Sequence, residues 1–428
     1  MSTYRISTAG QHAAAIAQIL KQQVLLTKTQ TQISSGQRIQ SPADDPVAAT
    51  RILALQGTQA QLQQYETNAG LAADRLGLGE QSLADLGTLV QRIQELTVQA
   101  NSGAMDDVSL KSIATELRAR AGELQQIANR QDSNGEYLFA GYSTATMPFA
   151  DTGGSVSYAG DQGVRQLQIS SSQKIADGFH GQRVFMDIQE GNGTFVVTAG
   201  SNAGTGLLGV QQVVDVTQWN AAGAAAAAAV PPLAHEYTIR FTDPDANGTA
   251  DSWELLDAAG NPVMDNGAPP APVTGTYTDG GAIAFDGVQF TLSGTPAVGD
   301  TFDVRPSGTE SLFKTLDDLV TALGQGSATA QSRATLGTNI NKALTQLDNG
   351  LNHVIDLRTE IGARLASLDT AASLRDDLGA QLTASLSSLK DVDYAEAIGR
   401  LNQQMVGLQA AQAAYTRIGQ MSLFDYLR

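Results

Sequence analysis

Hydrophobic positions along this chain follow two different periods. Leu55, Leu62, Ala69, Leu76, Leu83 and Val90 recur every seven residues, and Thr58, Tyr65, Ala72, Gly79, Leu86 and Ile93 form a second row three places on. That spacing puts both rows on one stripe of an α-helix, the a/d seam of a coiled coil. A second seam of the same period lies near the other end: Ile340, Leu347, Val354, Ile361, Leu368, Arg375, Leu382 and Leu389, with Leu344, Leu351, Leu365 and Leu386 four places later. A helix from Val47 to Ala100 is roughly 80 Å long at ~1.5 Å per residue, so it needs partner helices.

Local signals bound these helices. Ser41-Pro42-Ala43-Asp44 reads as a capping box, and Asp45-Pro46 as a cap with proline in the first turn, which predicts a start between residues 42 and 46. Asn101-Ser102-Gly103 predicts a stop. A third helix is expected from about Val108 to Arg130, with Ile113, Leu117, Leu124 and Ile127 on one face. Asn134-Gly135 signals a tight turn before a strand-like apolar run, Tyr137 to Gly141. From about Thr144 to Arg305 the period falls to two, as in Val156-Ser157-Tyr158, Tyr237 to Phe241 and Val288 to Leu292, with Gly, Asp and Pro between. This predicts a β-rich insertion holding both tryptophans, Trp219 and Trp253, and helix resumes at Ser311.

The two ends form a third class. Ile16, Ile19, Leu26 and Ile33 fall on a heptad frame, as do Ile398, Leu401, Met405, Leu408 and Tyr415, while Gln23, Gln30 and Gln412 stand where a strong coiled coil places Leu. Few aliphatic side chains serve some forty residues of the N-terminal arm. Their burial offsets little of the ordering entropy, so the arms are expected to be weakly ordered alone and helical when neighbouring subunits add surface.

Composition sharpens this picture. Hydrophobic residues make up 42% of the 428 but aromatics only 5%, which suits helical seams. The net charge of -17 disfavours nucleic acid and anionic lipid as partners. It is unevenly placed: from Met1 to Gln40 the only charges are Arg5, Lys21, Lys28 and Arg38, whereas residues 147–306 hold 17 acids against 5 bases, a net of -12. With no cysteine there is no disulfide, thiolate metal site or thiol nucleophile. The start is interrupted by Gln11, His12 and Gln18 and makes a poor cleaved signal peptide. The run from Ala221 to Leu233, broken by Gly223, Pro231 and Pro232, is too short to cross a bilayer.

Several segments resemble the flagellins and flagellar hook-associated proteins. They are Tyr4 to Thr8, SSGQRIQSPADDPVAA from Ser34 to Ala49, NGEYLFAGY from Asn134 to Tyr142, DYAEAIGRLNQQ from Asp393 to Gln404, and SLFDYLR from Ser422 to Arg428. The likeness covers about residues 1–145 and 309–428. Flagellin is similar through SSGxRI, while the DDP before VAA, the YLFAG element and the LFDYL ending favour the junction proteins at the joint between hook and filament. The resemblance implies export through the flagellar type III pathway, an extracellular place in the bacterial flagellum, self-association in a ring, a hook-associated neighbour on the hook side, flagellin on the filament side, and a cytoplasmic export chaperone. It says little about the insertion. Two other readings stay open: a flagellin-type filament subunit, and a secreted adhesin or calcium-dependent binding module centred on the insertion.

Candidate chemistry is sparse. Asp243, Asp245, Asn247, Gly248, Asp251 and Glu254 match the spacing of an EF-hand calcium loop. Their flanks alternate like strands, however, so a hairpin turn is preferred. Gly204, Gly206 and Gly209 match the dinucleotide fingerprint literally but lack a βαβ setting and the downstream acid, and a turn is preferred there too. His12, His180, His235 and His353 have no partner at ligand spacing. Asp317-Asp318 and Asp376-Asp377 read as solvated helix faces. Arg358 and Arg375 read as seam interruptions whose stems pack while their heads reach solvent or an acid, or else as intersubunit contacts.

The expectation is an α+β multidomain protein: a long coiled-coil-like helical bundle built from both chain ends, with an inserted β-rich domain. Terminal arms are placed at 1–40 and 391–428, a helical rod with a small β-hairpin at 41–146 and 307–390, and the β-rich domain at 147–306. No catalytic, cofactor-binding or metal-binding residue is assigned, and neither membrane insertion nor nucleic-acid binding is expected.

Overall fold

The computed structural model describes residues 8–102, 105–151, 155–265 and 269–420. In chain order it holds α1 (Thr8–Ser35), α2 (Pro46–Ala100) and α3 (Asp107–Ala128). Then come β1 (Phe149–Asp151), β2 (Val156–Tyr158), β3 (Gln166–Gln168), β4 (Lys174–Ala176), α4 (Gly181–Phe185), β5 (Ile188–Gln189), β6 (Phe195–Ala199), β7 (Leu207–Val213) and α5 (Val216–Ala228). The strands continue with β8 (Tyr237–Thr242), β9 (Ser252–Asp257), β10 (Thr274–Thr276), β11 (Ala282–Phe285), β12 (Val288–Ser293), β13 (Thr301–Pro306) and β14 (Thr309–Glu310). Last are α6 (Leu312–Gln325), α7 (Ala330–Lys390) and α8 (Tyr394–Gln420). The fold class is α+β, with helices at both ends and all described strands between them.

The caps explain where the helices start. Asp45 accepts the Ala48 amide at 3.0 Å, and Pro46 occupies the first turn, where its missing N–H is not needed. The capping box expected from Ser41 does not form. Asp44 instead folds back to accept the amides of Gln40 and Ser41, at 3.1 and 3.0 Å, and closes a turn ahead of the helix. Asp106 and Ser311 cap α3 and α6 by accepting Ser109 N and Lys314 N.

The chain divides into two compact units. The first comprises Met1–Asn68, Ile169–Ser171 and Asp369–Arg428. Here α1 packs along α8, and Ile39, Ala48 and Ile52 form a small core with Leu386 and Leu389.

The second unit comprises Ala69–Gln168 and Ser172–Leu368. Its helical core is the pair of seams expected from the heptads: Leu76, Leu83, Leu86, Val90 and Ile93 of α2 are buried, as are Ile340, Leu347, Val354 and Ile361 of α7. The helices meet closely, since a methyl added at Gly79 would stand 3.5 Å from Ile361 Cδ1. Helices α3 and α6 pack as a second pair.

The same unit carries two antiparallel sheets, ordered β10-β9-β8-β13-β6 and β11-β12-β7. Phe195, Ile239, Phe241, Leu255, Phe290, Leu292, Phe302 and Val304 fill one core between them with both tryptophans. Strands β8 and β12 bury alternate residues, as strands with one covered face must. The alanine run forms α5, capped by Asp215 and anchored by Trp219, which stacks on His235 at 4.0 Å. No helix among the described residues is long and apolar enough to cross a membrane.

One expected strand is absent. Of Tyr137 to Gly141 only Tyr137 bridges, to Gln131, and the rest turns. Gly141 has φ +73°, and the Phe139 carbonyl accepts Gly181 N at 2.7 Å and the Tyr158 hydroxyl at 3.0 Å. The segment's backbone therefore bonds to the start of α4 and to a tyrosine hydroxyl rather than to a strand ladder, while Leu138, Phe139 and Ala140 are buried.

Candidate assembly surface

The two ends of the chain are fastened at an elbow. Between α1 and α2, Gln37 bridges Asp391; Arg38 N donates to Lys390 O at 2.7 Å, and Val392 N to Gly36 O at 3.0 Å. Arg38 also donates through Nη2 to the Leu389 carbonyl at 2.9 Å, near the end of α7, where helical carbonyls lack partners. Gly36 is required here: its φ is +71°, and a Cβ would meet the Tyr394 hydroxyl at 3.2 Å. Sequence segments about 350 residues apart thus hold each other's turns.

Lys28 completes the elbow with an ion pair to Asp44 at 2.6 Å. The hydrogen bond from Lys28, then those from the Gln40 and Ser41 amides, bring the Asp44 carboxyl down to about 2. A depressed carboxylate contributes its stability above the ordinary value and loses it as pH falls through its own. The turn is therefore expected to persist to about pH 2 and to open below. Replacing Lys28 by Gln should move the Asp44 inflection upward in a carboxyl NMR titration; an unmoved inflection counts against the pairing.

Along α1, His12, Ala15, Ile19, Gln22, Leu26, Thr29 and Ile33 turn inward, and along α8 Ala397, Leu401, Gln404, Leu408, Ala411 and Tyr415 do so. His12 and Tyr415 meet edge to face at 5.6 Å. This inward frame keeps Ile19, Leu26, Ile33, Leu401, Leu408 and Tyr415 of the expected one, whereas Ile16, Ile398, Met405, Gln23, Gln30 and Gln412 face outward. The consequence is an exposed apolar stripe on α1, where Ile16, Leu20 and Val24, spaced four apart, are 44%, 56% and 68% exposed. Ile398, Met405 and Val406 are likewise exposed on α8. The family-like ends Tyr4 to Ser7 and Ser422 to Arg428 lie outside the described residues.

In the second unit one buried cation organises the NGEYLFAGY segment. Arg75, only 8% exposed, lies 3.3 Å from Asp132, 3.2 Å from Glu136 and 3.8 Å from Asp177, and donates to the Tyr137 carbonyl at 3.2 Å. Arg165 supports Asp177 at 2.6 Å. Sequence reading missed this residue. Its signal was a lone arginine beside Leu76 in an apolar seam, with acids flanking the Asn134-Gly135 turn.

Comparison with known proteins follows the same segments. Residues 6–144 match the bacterial flagellin N-terminal helical region and 338–427 the C-terminal helical region. Flagellar hook-associated protein 3 of Escherichia coli (strain K12) is 25% identical over 98% of this chain and 99% of its own length. A crystal structure of FlgL from Xanthomonas campestris is 33% identical, covering 78% of this chain and 99% of that one, with a TM-score of 0.67. The chain belongs to the flagellar hook-associated protein 3 (FlgL) family. A hook-associated protein 3 from Legionella pneumophila is also similar, at 26% identity and a TM-score of 0.71 over 79% of this chain and 98% of that one. As a member of this family the chain is a structural subunit of the bacterial flagellum.

Within this FlgL-family fold, the other residues singled out by sequence are dispersed. Asp243, Asp245 and Asp251 do converge, their carboxylates within 4.8 Å of one another, in the β8–β9 hairpin. Their oxygens take hydrogen bonds from the loop itself, Asp243 from Asn247 N and Gly248 N, and Asp245 from Asn247. Glu254 sits in β9 and pairs with Arg240 instead. Gly204 and Gly206 lie in the loop before β7, with Gly204 N held by Asp300. Imidazole Nδ1 of His180 caps α4, His235 stacks on Trp219, and His353 Nε2 lies 2.6 Å from Arg183 O. Burial lowers His180 and His235 below the usual imidazole range. Arg358 reaches Glu80 of α2 at 2.7 Å, while Arg375 approaches the Ile169 carbonyl at 3.5 Å. Asp318 pairs with Lys314, and Asp376 and Asp377 are exposed.

Proposed function

We propose that the chain joins the hook side of the flagellum to the flagellin filament by helical polymerisation of its terminal arms. The observation that carries this reading is the α1–α8 pair with its outward stripe of Ile16, Leu20 and Val24, an apolar surface that a second subunit would cover. In this reading residues 1–40 and 391–428 act as assembly arms, 41–146 and 307–390 as a supporting helical part, and 147–306 as an outer β-rich domain. The subunits associate in a ring, with another hook-associated protein on one side and flagellin on the other. Before that, the chain is held by an export chaperone in the cytoplasm and leaves without a cleaved signal peptide. It works by buried surface rather than by catalysis, and needs no cofactor.

Expression in a bacterium deleted for its own hook-associated protein 3 tests the reading. Hooks should regain attached filaments and cells should regain motility. Secreted chain with bare hooks would overturn the junction role, and purified chain growing unaided into long filaments would favour a flagellin-type subunit. Loss of surface adhesion with retained motility on deleting 147–305 would favour an adhesin.

A further inference from the structure

We propose that Asn192 and Asn247 are acceptors for an N-linked sugar, presented on two exposed loops of the β-rich part of the chain. Residues 190–194 read Glu-Gly-Asn-Gly-Thr and residues 245–249 read Asp-Ala-Asn-Gly-Thr, the same acid-x-Asn-Gly-Thr pattern twice. Asparagine followed two places on by Ser or Thr, with no proline between, is the acceptor motif for asparagine glycosylation. No other asparagine of the chain satisfies it. The remaining Asn-Gly pairs, Asn134-Gly135, Asn266-Gly267 and Asn349-Gly350, are followed by Glu136, Ala268 and Leu351.

The geometry repeats along with the sequence. Asn192 lies between β5 and β6 and Asn247 between β8 and β9, in separate connections. The residue before each asparagine is left-handed, Gly191 at φ +57° and Ala246 at φ +56°, and so is the glycine after it, Gly193 at φ +80° and Gly248 at φ +87°. Ala246 takes that region although its Cβ disfavours it. In both loops the asparagine carbonyl folds onto the threonine. Asn192 Oδ1 accepts Thr194 N at 3.0 Å, and Asn247 Oδ1 accepts Thr249 N at 2.7 Å together with the Thr249 hydroxyl. Turn chemistry accounts for Asn-Gly, but it does not call for a hydroxyl two places on. The Asn134-Gly135 turn, with Gly135 at φ +79°, does without one.

Both asparagines are exposed, and both loops tolerate the substitution. Nδ2 of Asn192 donates to the Gln211 carbonyl at 3.5 Å, and Nδ2 of Asn247 to Asp245 Oδ2 at 2.8 Å. A carboxamide nitrogen carries two hydrogens, so replacing one by a sugar leaves the other for each of these contacts. In the transfer, Nδ2 forms a bond to the anomeric carbon of a diphosphate-activated sugar. The bond from that carbon to the diphosphate oxygen breaks, the diphosphate leaves with the electron pair, and the displaced amide proton passes to a base of the cell's glycosyltransferase. The carrier on the diphosphate is a nucleoside or a lipid. The product is a bulky, hydrated group at two points of the surface.

Mass-spectrometric peptide mapping of the full chain, recovered from its own bacterium, tests the assignment. Peptides holding Asn192 and Asn247 should carry sugar mass, and electron-transfer fragmentation should place it on the asparagine. A single sugar unit supports a nucleotide donor, and a longer glycan a lipid-linked one. Asn247→Gln and Thr249→Val should each abolish the modification at that loop while leaving the one at Asn192, whereas Thr249→Ser should keep both. An unmodified asparagine at either position in the parent, or sugar placed on Thr194 or Thr249 instead, overturns the proposal, and so does an Asn247→Gln chain that retains sugar in this loop. If the variants do not accumulate, fragmentation of the parent peptides decides alone, since it separates attachment to asparagine from attachment to threonine and from none.

Discussion

Replacing Arg75 by leucine is expected to destabilise the second unit by about 3 kcal/mol, because it leaves the part-buried Asp132 without its cation and the buried Asp177 with Arg165 alone. The unfolding transition carrying that unit should drop by roughly 10 °C. Arg75→Lys keeps the charge but loses the planar fork that reaches two carboxylates and the Tyr137 carbonyl at once, so it should fall between leucine and the parent. Arg358→Leu is the internal control. Its partner Glu80 is also on α2, but that pair is partly exposed and should contribute about 1 kcal/mol. Equal losses from Arg75→Leu and Arg358→Leu in a thermal melt would refute the buried-clamp account.

The second large effect concerns assembly rather than folding. Leu20→Glu combined with Val24→Glu places two charges on the outward stripe of α1 while keeping good helix formers there. Both positions face solvent in the single chain, so its unfolding should shift by no more than about 0.5 kcal/mol per site. Burial between subunits forgoes about 1.5–3 kcal/mol for each apolar side chain lost. Together that is a weakening of at least about a hundredfold. Cells carrying the variant should secrete the chain yet show hooks without filaments by electron microscopy. Normal filaments would mean that this stripe touches nothing in the flagellum.

Periodicity made the long helices readable in advance, because a seven-residue repeat from Ala69 to Ile93 admits only one packed face and the structure buries it. The strands at Tyr237 and Val288 were readable for the equivalent reason at period two. The arms were harder. With so few large side chains, the frame through Ile16 and the frame through Ala15, Gln22 and Thr29 compete, and the partner helix decided for the second by accepting small and polar residues inside. The alanine run concealed α5, since alanine marks no face and only the buried Trp219 orients it. At Tyr137 to Gly141 the apolar run was sound evidence of burial but not of extended backbone. The Arg75 clamp was invisible because it joins residues whose adjacency exists only after distant segments have met.

A practical consequence follows from β13 lying beside β6. Phe195 opens β6 and Pro306 closes β13, and the two are direct cross-strand partners, so their Cα atoms sit about 5 Å apart. Everything from 195 to 306 is an excursion that departs and returns at nearly one point. A foreign module whose own termini lie that close can be spliced in its place, turning the gene into a port for displaying cargo on the cell's outermost appendage.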